Sequence, residues 1–283
     1  MSWSTILYEK IDGNIARIVL NRPETHNAQD YLLIEEMDEA MKQAEEDPEV
    51  KVIILAGAGP SFSSGHDMSG RGKPSPQRPE LSQLPGLEGS LAREQYIYID
   101  KCLVIRNLTK PTIAQVQGHC LAAGWMVAAM CDIIVASEDA DFGDPVLRMT
   151  PAAVEILFHP WEVGARKAKE LLWTGDRITA MEAWRLGAVN KVVPREKLEE
   201  ETLRIARKIA LTPNVTVSLT KRSINRTLDI MGQADAWDYH MLIHQMSHHT
   251  EQARAYREER RKAMERGGLR EFLKMRDEAY SKA

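Results

Sequence analysis

The sequence predicts an α/β protein built in layers, and three observations carry that expectation. Short continuous apolar runs such as VKVIILAG, KPTIAQVQG and DIIVAS read as buried parallel strands. Stretches with apolar residues at helical spacing lie between them. Strand and helix then alternate repeatedly, the order that stacks helices on a largely parallel sheet.

Taken in order, ILYEKIDGNIARIVLN reads as two alternating strands around the Asp12-Gly13 turn, a hairpin signal. NRPETHNAQD is a polar loop, YLLIEEMDEAMKQAEED a helix and VKVIILAG a strand. From Ser69 to about Gly89 the chain is rich in Pro, Gly, Ser and Gln, which predicts a mobile surface insertion or lid. REQYIYIDKCLVIRNL returns to helical periodicity. KPTIAQVQG is a strand, CLAAGWMVAAMC a helix of small residues and DIIVAS another buried strand. After ARKAKELLWTGDRITAMEAWRLGAV the pattern is almost wholly helical. The charged tail EQARAYREERRKAMERGGLREFLKMRDEAY reads as a solvated helix or an arm on a neighbouring subunit.

A chain of 283 residues can bury a sizeable core. Its formal net charge of −4 gives no electrostatic reason to expect nucleic acid or an anionic membrane as partner. Cys102, Cys120 and Cys131 are too few for a disulfide framework and form no Cys-x-x-Cys pair, as suits a reducing cytoplasm. The start MSWSTILYEK has neither a basic region nor an apolar signal core, and no apolar run approaches membrane length. A cytoplasmic location is therefore expected.

Four segments, in order, resemble the crotonase (enoyl-CoA hydratase/isomerase) superfamily: ARIVLNRPETHNA, VKVIILAGAGPSFSSGHDM, KPTIAQVQGHCLAAGWMVAAMCDIIVASEDADFGDP and AKELLWTGDRITAMEAWRLGAVNKVVP. The resemblance implies a spiral of strand-strand-helix turns over residues 1–200 and a helical trimerisation and CoA-capping region over 201–283. It implies an acyl-CoA thioester as substrate, CoA being part of that substrate and no separate cofactor, and a homotrimer or hexamer. It also implies an oxyanion hole formed by the backbone N–H groups of His66 and Ala123. Such a pair polarises the thioester oxygen as negative charge grows on it, and one donor of this kind is worth on the order of 3 kcal/mol. Gly118 and Gly124 permit close backbone approach there.

The resemblance also locates two departures. Where family hydratases carry their two glutamates, this chain has Met126 and Val146, neither of which exchanges a proton. Asp144 in FGDP and Glu155 in TPAAVEILFHPWE are the candidate replacements. Glu155 is the preferred proton carrier, because its apolar flanks predict burial and a raised pKa. For Asp144 the competing role is turn capping. Arg22, Asp67, Met68, Gly124, Met126 and Val146 are the expected substrate contacts, with Arg22 meeting a phosphate and Asp67 also holding its loop. The His66 side chain is expected to pack or hydrogen-bond under the loop, with a base role as the alternative. Lys274 and Phe272 are weaker candidates for CoA contact, and His119 and His159 read as satisfied structural histidines.

His240, His244 and His248 recur every four residues, a spacing that suits metal ligands. Without a Glu among them, and with Met and Ile interleaved, they read as a polar helix face or subunit contact, so no metal is expected. Two functions remain open: an acyl-CoA-transforming enzyme with atypical acid/base residues, and a non-catalytic acyl-CoA binder that kept only the cradle. An RNA-binding relative is disfavoured by the acidic charge.

Overall fold

The computed structural model describes residues 3–69 and 75–282. Strands β1 (Ile6–Ile11) and β2 (Ile15–Leu20) pair antiparallel. In the three-residue turn between them, Asp12 and Gly13 both take positive φ, 51° and 77°, a backbone hand that matches the twist of the hairpin. Helix α1 (Tyr31–Glu46) starts where the Asp30 carboxylate accepts the N–H of Leu33, and it buries Leu33, Met37, Met41 and Ala44. Strand β3 (Val52–Gly57) then pairs parallel to β2.

The insertion lies at the surface as expected, with residues 76–80 and 83–88 exposed, although residues 70–74 lie outside the described part. Ser75 is buried and donates its hydroxyl to Glu35, itself almost wholly buried on α1. Gln77 accepts from Tyr96 at 2.8 Å. A short 3-10 turn and α2 (Gly86–Glu94) follow, running through a π-helical turn, Gln95–Asp100, into α3 (Lys101–Asn107). An acidic acceptor on α1 thus anchors a stretch whose composition reads as loop.

From β4 (Thr112–Val116) the chain alternates between two sheets. It visits β5 (His119–Leu121), α4 (Ala123–Ala129), β6 (Ile133–Ser137), β7 (Asp141–Gly143), α5 (His159–Thr174), β8 (Arg177–Thr179), α6 (Ala180–Leu186) and β9 (Lys191–Val193). The large sheet has the order β1-β2-β3-β4-β6-β9, parallel except for the first pair, and the small one the order β5-β7-β8. Strands β4 to β7 land by turns in the large and the small sheet, as the turns of a spiral do. The expected class, α/β with a crotonase-like spiral and a helical C-terminal part, is the one observed.

Four helices complete the chain: α7 (Leu198–Ala210), α8 (Asn214–Ile230), α9 (Gln233–His248) and α10 (Glu251–Glu278). Leu198, Leu203, Ala206 and Ala210 of α7 pack on Ile15, Val52, Ile54, Ile113 and Val135 of the large sheet. A division at residue 200 therefore falls inside a helix that belongs to the core. The tail is not solvated throughout. Helix α10 breaks at Gly267 and Gly268, folds back, and buries Phe272 completely. Arg148 then meets Asp277 at 3.2 Å and stacks over Tyr280. No described helix is long and apolar enough to cross a membrane.

Candidate active site

Three loops lie side by side at one end of the small sheet. Gln117 and His119 carbonyls accept the N–H groups of Phe62 and Ser63, and Leu121 N–H donates back to Ser63, so residues 62–63 run beside β5 like an extra strand. On the other side, Gln29 N–H donates to Gly65 and Asp67 N–H to Gln29. Asn27 closes the bundle by donating its side-chain amide to the carbonyls of Ala58, Ser61 and Phe62. The Asn-Arg-Pro loop, the FSSGHDM loop and the turn into α4 are thereby fixed relative to one another.

Glycine is required where these loops touch. A Cβ on Gly124 would press into the Ser63 carbonyl well inside contact distance. Gly65, at φ 93°, approaches so closely that a Cβ there would stand 3.3 Å from the Ala123 nitrogen. Ala122 is the strained member, at φ 48° and ψ −120°. Non-glycine residues in such regions cost on the order of 1–3 kcal/mol and cluster at functional sites. In the parallel bridge with Gln29, His66 contributes neither its own N–H nor its carbonyl, since the neighbours on either side make the bonds. Among the described residues the N–H groups of His66 and Ala123 have no backbone or side-chain acceptor.

Beside these loops lies a cavity of about 330 Å³. Its wall includes His66, Asp67, Met68, Val146 and Glu155, bringing together five of the residues expected at the site. Ala123 adjoins it through Leu121 and Ala122, which do line it. A larger cavity of about 570 Å³ opens between α8 and the strand β6 region, away from all three loops.

Within the smaller cavity, His66 Nε2 and Glu155 Oε2 are 3.1 Å apart. The imidazole is sandwiched against Tyr98, with ring centroids 3.8 Å apart and planes 29° from parallel. Tyr98 comes from the π-helical turn, a form often found at functional sites. Glu155 is 6% exposed, as its apolar flanks predict, but its pKa moves the other way. Burial pushes it up, yet the charge and hydrogen bond of His66, joined by the His244 charge and a backbone hydrogen bond, outweigh burial and bring it down to about 2. The expected raised value is thus corrected by a neighbour 89 positions away in sequence.

Several other expected contacts lie outside the cavity wall. Asp144 lies outside the cavity wall and is fully buried. It accepts from Val146 N–H at 3.0 Å and Val154 N–H at 3.2 Å, and it caps the 3-10 turn Pro145–Met149. Burial pushes its pKa up to about 6, but capping is the role its geometry defines. Met126 is fully buried in the hydrophobic core, and Gly124 serves loop contact. Arg22 bridges Asp67 at 2.9 Å and Asp30 at 3.4 Å, so its guanidinium is held by carboxylates and lies outside the cavity wall. Asp67 also accepts from Ser69 N–H, holding the loop as expected.

Phe272 is completely buried beside Tyr256 and under Arg260, so it has no surface to offer CoA. Lys274 is exposed and outside the cavity wall. His159 is a core residue packed between Phe158 and Trp125. Its Nε2 lies 3.4 Å from Asp144 Oδ2, without an aligned hydrogen bond to either ring nitrogen among the described residues. Burial lowers its pKa to about 3, which keeps the ring neutral near Asp144. His119 pairs with Asp141 at 2.8 Å, a structural role.

The largest correction concerns α9. His240 and His244 are buried, not on a solvated face, and His240 Nε2 meets the Val154 carbonyl at 2.9 Å. His244 and His248 line the cavity, joined by Glu94 from the end of α2 and by Arg257 and Arg260 from α10. The four-residue histidine spacing was a visible signal. Nothing in the sequence indicated which surface α9 would cover, or that Glu94 and Tyr98 would meet it.

The sequence profile of the enoyl-CoA hydratase/isomerase family matches residues 10–267. A putative enoyl-CoA hydratase of Mycobacterium tuberculosis is 44% identical over 255 residues, covering 86% of this chain and 80% of that protein. The crystal structure of a probable enoyl-CoA hydratase from Mycobacterium smegmatis is 43% identical and covers 88% of this chain and 95% of its own, with a TM-score of 0.80. An enoyl-CoA hydratase/isomerase from Xanthobacter autotrophicus Py2, 36% identical, covers 98% of this chain and 99% of its own, with a TM-score of 0.85. The spiral and its converging loops define a crotonase-type protein. The chain belongs to the enoyl-CoA hydratase/isomerase family.

Proposed function

We propose that this protein transforms an acyl-CoA thioester by stabilising its enolate, with the N–H groups of His66 and Ala123 as oxyanion donors and Glu155 as proton carrier. The 3.1 Å contact between His66 Nε2 and Glu155 Oε2 in the cavity wall carries the reading. A carboxylate fixed in this way takes a proton from the carbon beside the thioester carbonyl. The electron pair of the broken C–H bond moves into the carbonyl, and the two amides meet the charge that forms on oxygen. Returning the proton at another carbon shifts the double bond, which needs only one carrier. Hydration by two cooperating glutamates needs acids where Met126 and Val146 stand, so simple hydration is the less favoured outcome. The His66 contact positions Glu155 and lowers its pKa, so the carboxylate is a well-placed but weakly basic anion.

The second reading, a non-catalytic acyl-CoA binder, is favoured by the same two apolar residues. A panel of enoyl-, dienoyl- and β-keto-CoA esters, assayed by mass spectrometry, separates the two. We expect turnover of at least one ester by the wild type and at least a hundredfold loss in Glu155→Gln, consistent with general-base catalysis, while thermal stabilisation by the ester persists. Stabilisation by every ester with product from none would establish the binder. Full activity of Glu155→Gln would remove that residue from the reaction.

A further inference from the structure

We propose that Glu94, His244 and His248 form a three-ligand site for Zn²⁺ or a similar d-block divalent cation, in the cavity wall beside the His66–Glu155 pair. His244 and His248 stand four apart on α9, so both rings project from one face. Their planes are nearly perpendicular, with centroids 4.6 Å apart, and their Nε2 atoms converge to 3.0 Å. Glu94 Oε2 lies 3.4 Å from His244 Nε2, and all three ligand atoms fall within 4.8 Å of one another. A tetrahedral zinc with bonds of about 2.0–2.1 Å sets its ligands roughly 3.3 Å apart. The two shortest separations bracket that edge.

The surroundings are those of a metal centre. Two imidazoles and one carboxylate are a donor set zinc uses in catalytic sites, where a fourth position stays open. Oxygen-preferring Mg²⁺ and Ca²⁺ have no such affinity for imidazole. All three side chains line the cavity, so the fourth position is accessible from it. Behind the ligands, the Gln245 side-chain amide donates to Glu94 Oε2, orienting the carboxylate as outer-shell partners do. The carboxylates of Glu94 and Glu155 offset the cationic Arg257 and Arg260 on the same wall. The site was hidden in the sequence because its carboxylate comes from α2, some 150 positions before the histidines. The competing arrangement is a metal-free pair in which one imidazole N–H donates to the other.

The test uses the whole protein, stripped with a chelator and then titrated with Zn²⁺ by calorimetry and with Co²⁺ by visible spectroscopy. We expect one tight equivalent per chain, cobalt bands of a four- or five-coordinate site, and protection of His244 and His248 from diethylpyrocarbonate, read by mass spectrometry. His248→Ala and His244→Ala should abolish stoichiometric binding, and Gln245→Ala should weaken it roughly 10- to 100-fold. His249→Ala, which alters an exposed neighbour, should leave it unchanged. No tight equivalent in the wild type, octahedral cobalt spectra, or equal histidine modification with and without zinc would each overturn the site. The last two readouts need no variant to fold. No CoA ester is present, so failure here leaves the acyl-CoA reading standing.

Discussion

Between His66 and Glu155 two opposing effects act on one proton. Burial favours the neutral acid, the neighbouring imidazole favours the anion, and the second wins, placing the carboxyl at about 2. His66→Ala keeps the backbone N–H but removes the main influence opposing burial, leaving the His244 charge and a backbone hydrogen bond, so the Glu155 pKa should rise from about 2. A general base must be ionised, and activity of this variant should therefore fall as pH drops through that raised value. Wild-type kcat/KM should show no limb from Glu155 until far lower pH. His66→Gln, which retains a donor without the charge, should recover positioning and give an intermediate limb. Superimposable pH profiles for all three proteins would show that the imidazole does not tune the carboxylate.

At the scale of elements, the site depends on how closely loop 61–67 and the turn into α4 approach. Gly124→Ala sets a Cβ against the Ser63 carbonyl, a backbone atom that cannot swing aside. Overpacking of this kind costs about 1–3 kcal/mol, which urea denaturation would measure. The loops should separate enough to weaken acyl-CoA binding at least tenfold; a variant with wild-type affinity would show that their spacing is not critical. The main strands were legible in the sequence because β3, β4 and β6 are buried along almost their whole length and therefore mainly apolar. Strands β5, β7 and β8 were not, since three residues are too few to display a period. Glu155 could be found from a carboxyl set among apolar residues. His66 as its partner could not, because their contact is a product of the loop stacking.

Across the whole molecule, α10 folds back to the cavity through the break at Gly267 and Gly268, with the buried Phe272 ring as its anchor. Phe→Ala changes in cores cost about 3–5 kcal/mol, but this anchor serves an end segment, so the loss should appear as local opening. In Phe272→Ala, hydrogen exchange should accelerate after residue 268, and KM for the acyl-CoA should rise more than kcat falls. Exchange unchanged in that segment would show that the arm is held elsewhere. Helix α8 presents Val215, Leu219, Ile224 and Ile230 to solvent in the single chain. We propose that another copy of the chain covers this surface, as the trimer or hexamer implied by the resemblance to crotonases would require. Light scattering should therefore return a multiple of three protomer masses, and Leu219→Glu with Ile224→Glu should lower it. A wild-type monomer would contradict that assembly.

The irregular turn Gln95–Asp100 bears on both neighbours at once, since it links α2, which ends in Glu94, to α3, whose Cys102 and Ile105 are buried. In an α-helix each residue advances the chain by about 100° of rotation. Removing one residue from the turn would therefore rotate Glu94 about the helix axis by roughly that angle, while α3 kept its seat in the core. The wider coil acts as a phase adjuster, setting the azimuth of the cavity wall independently of the helix that anchors it.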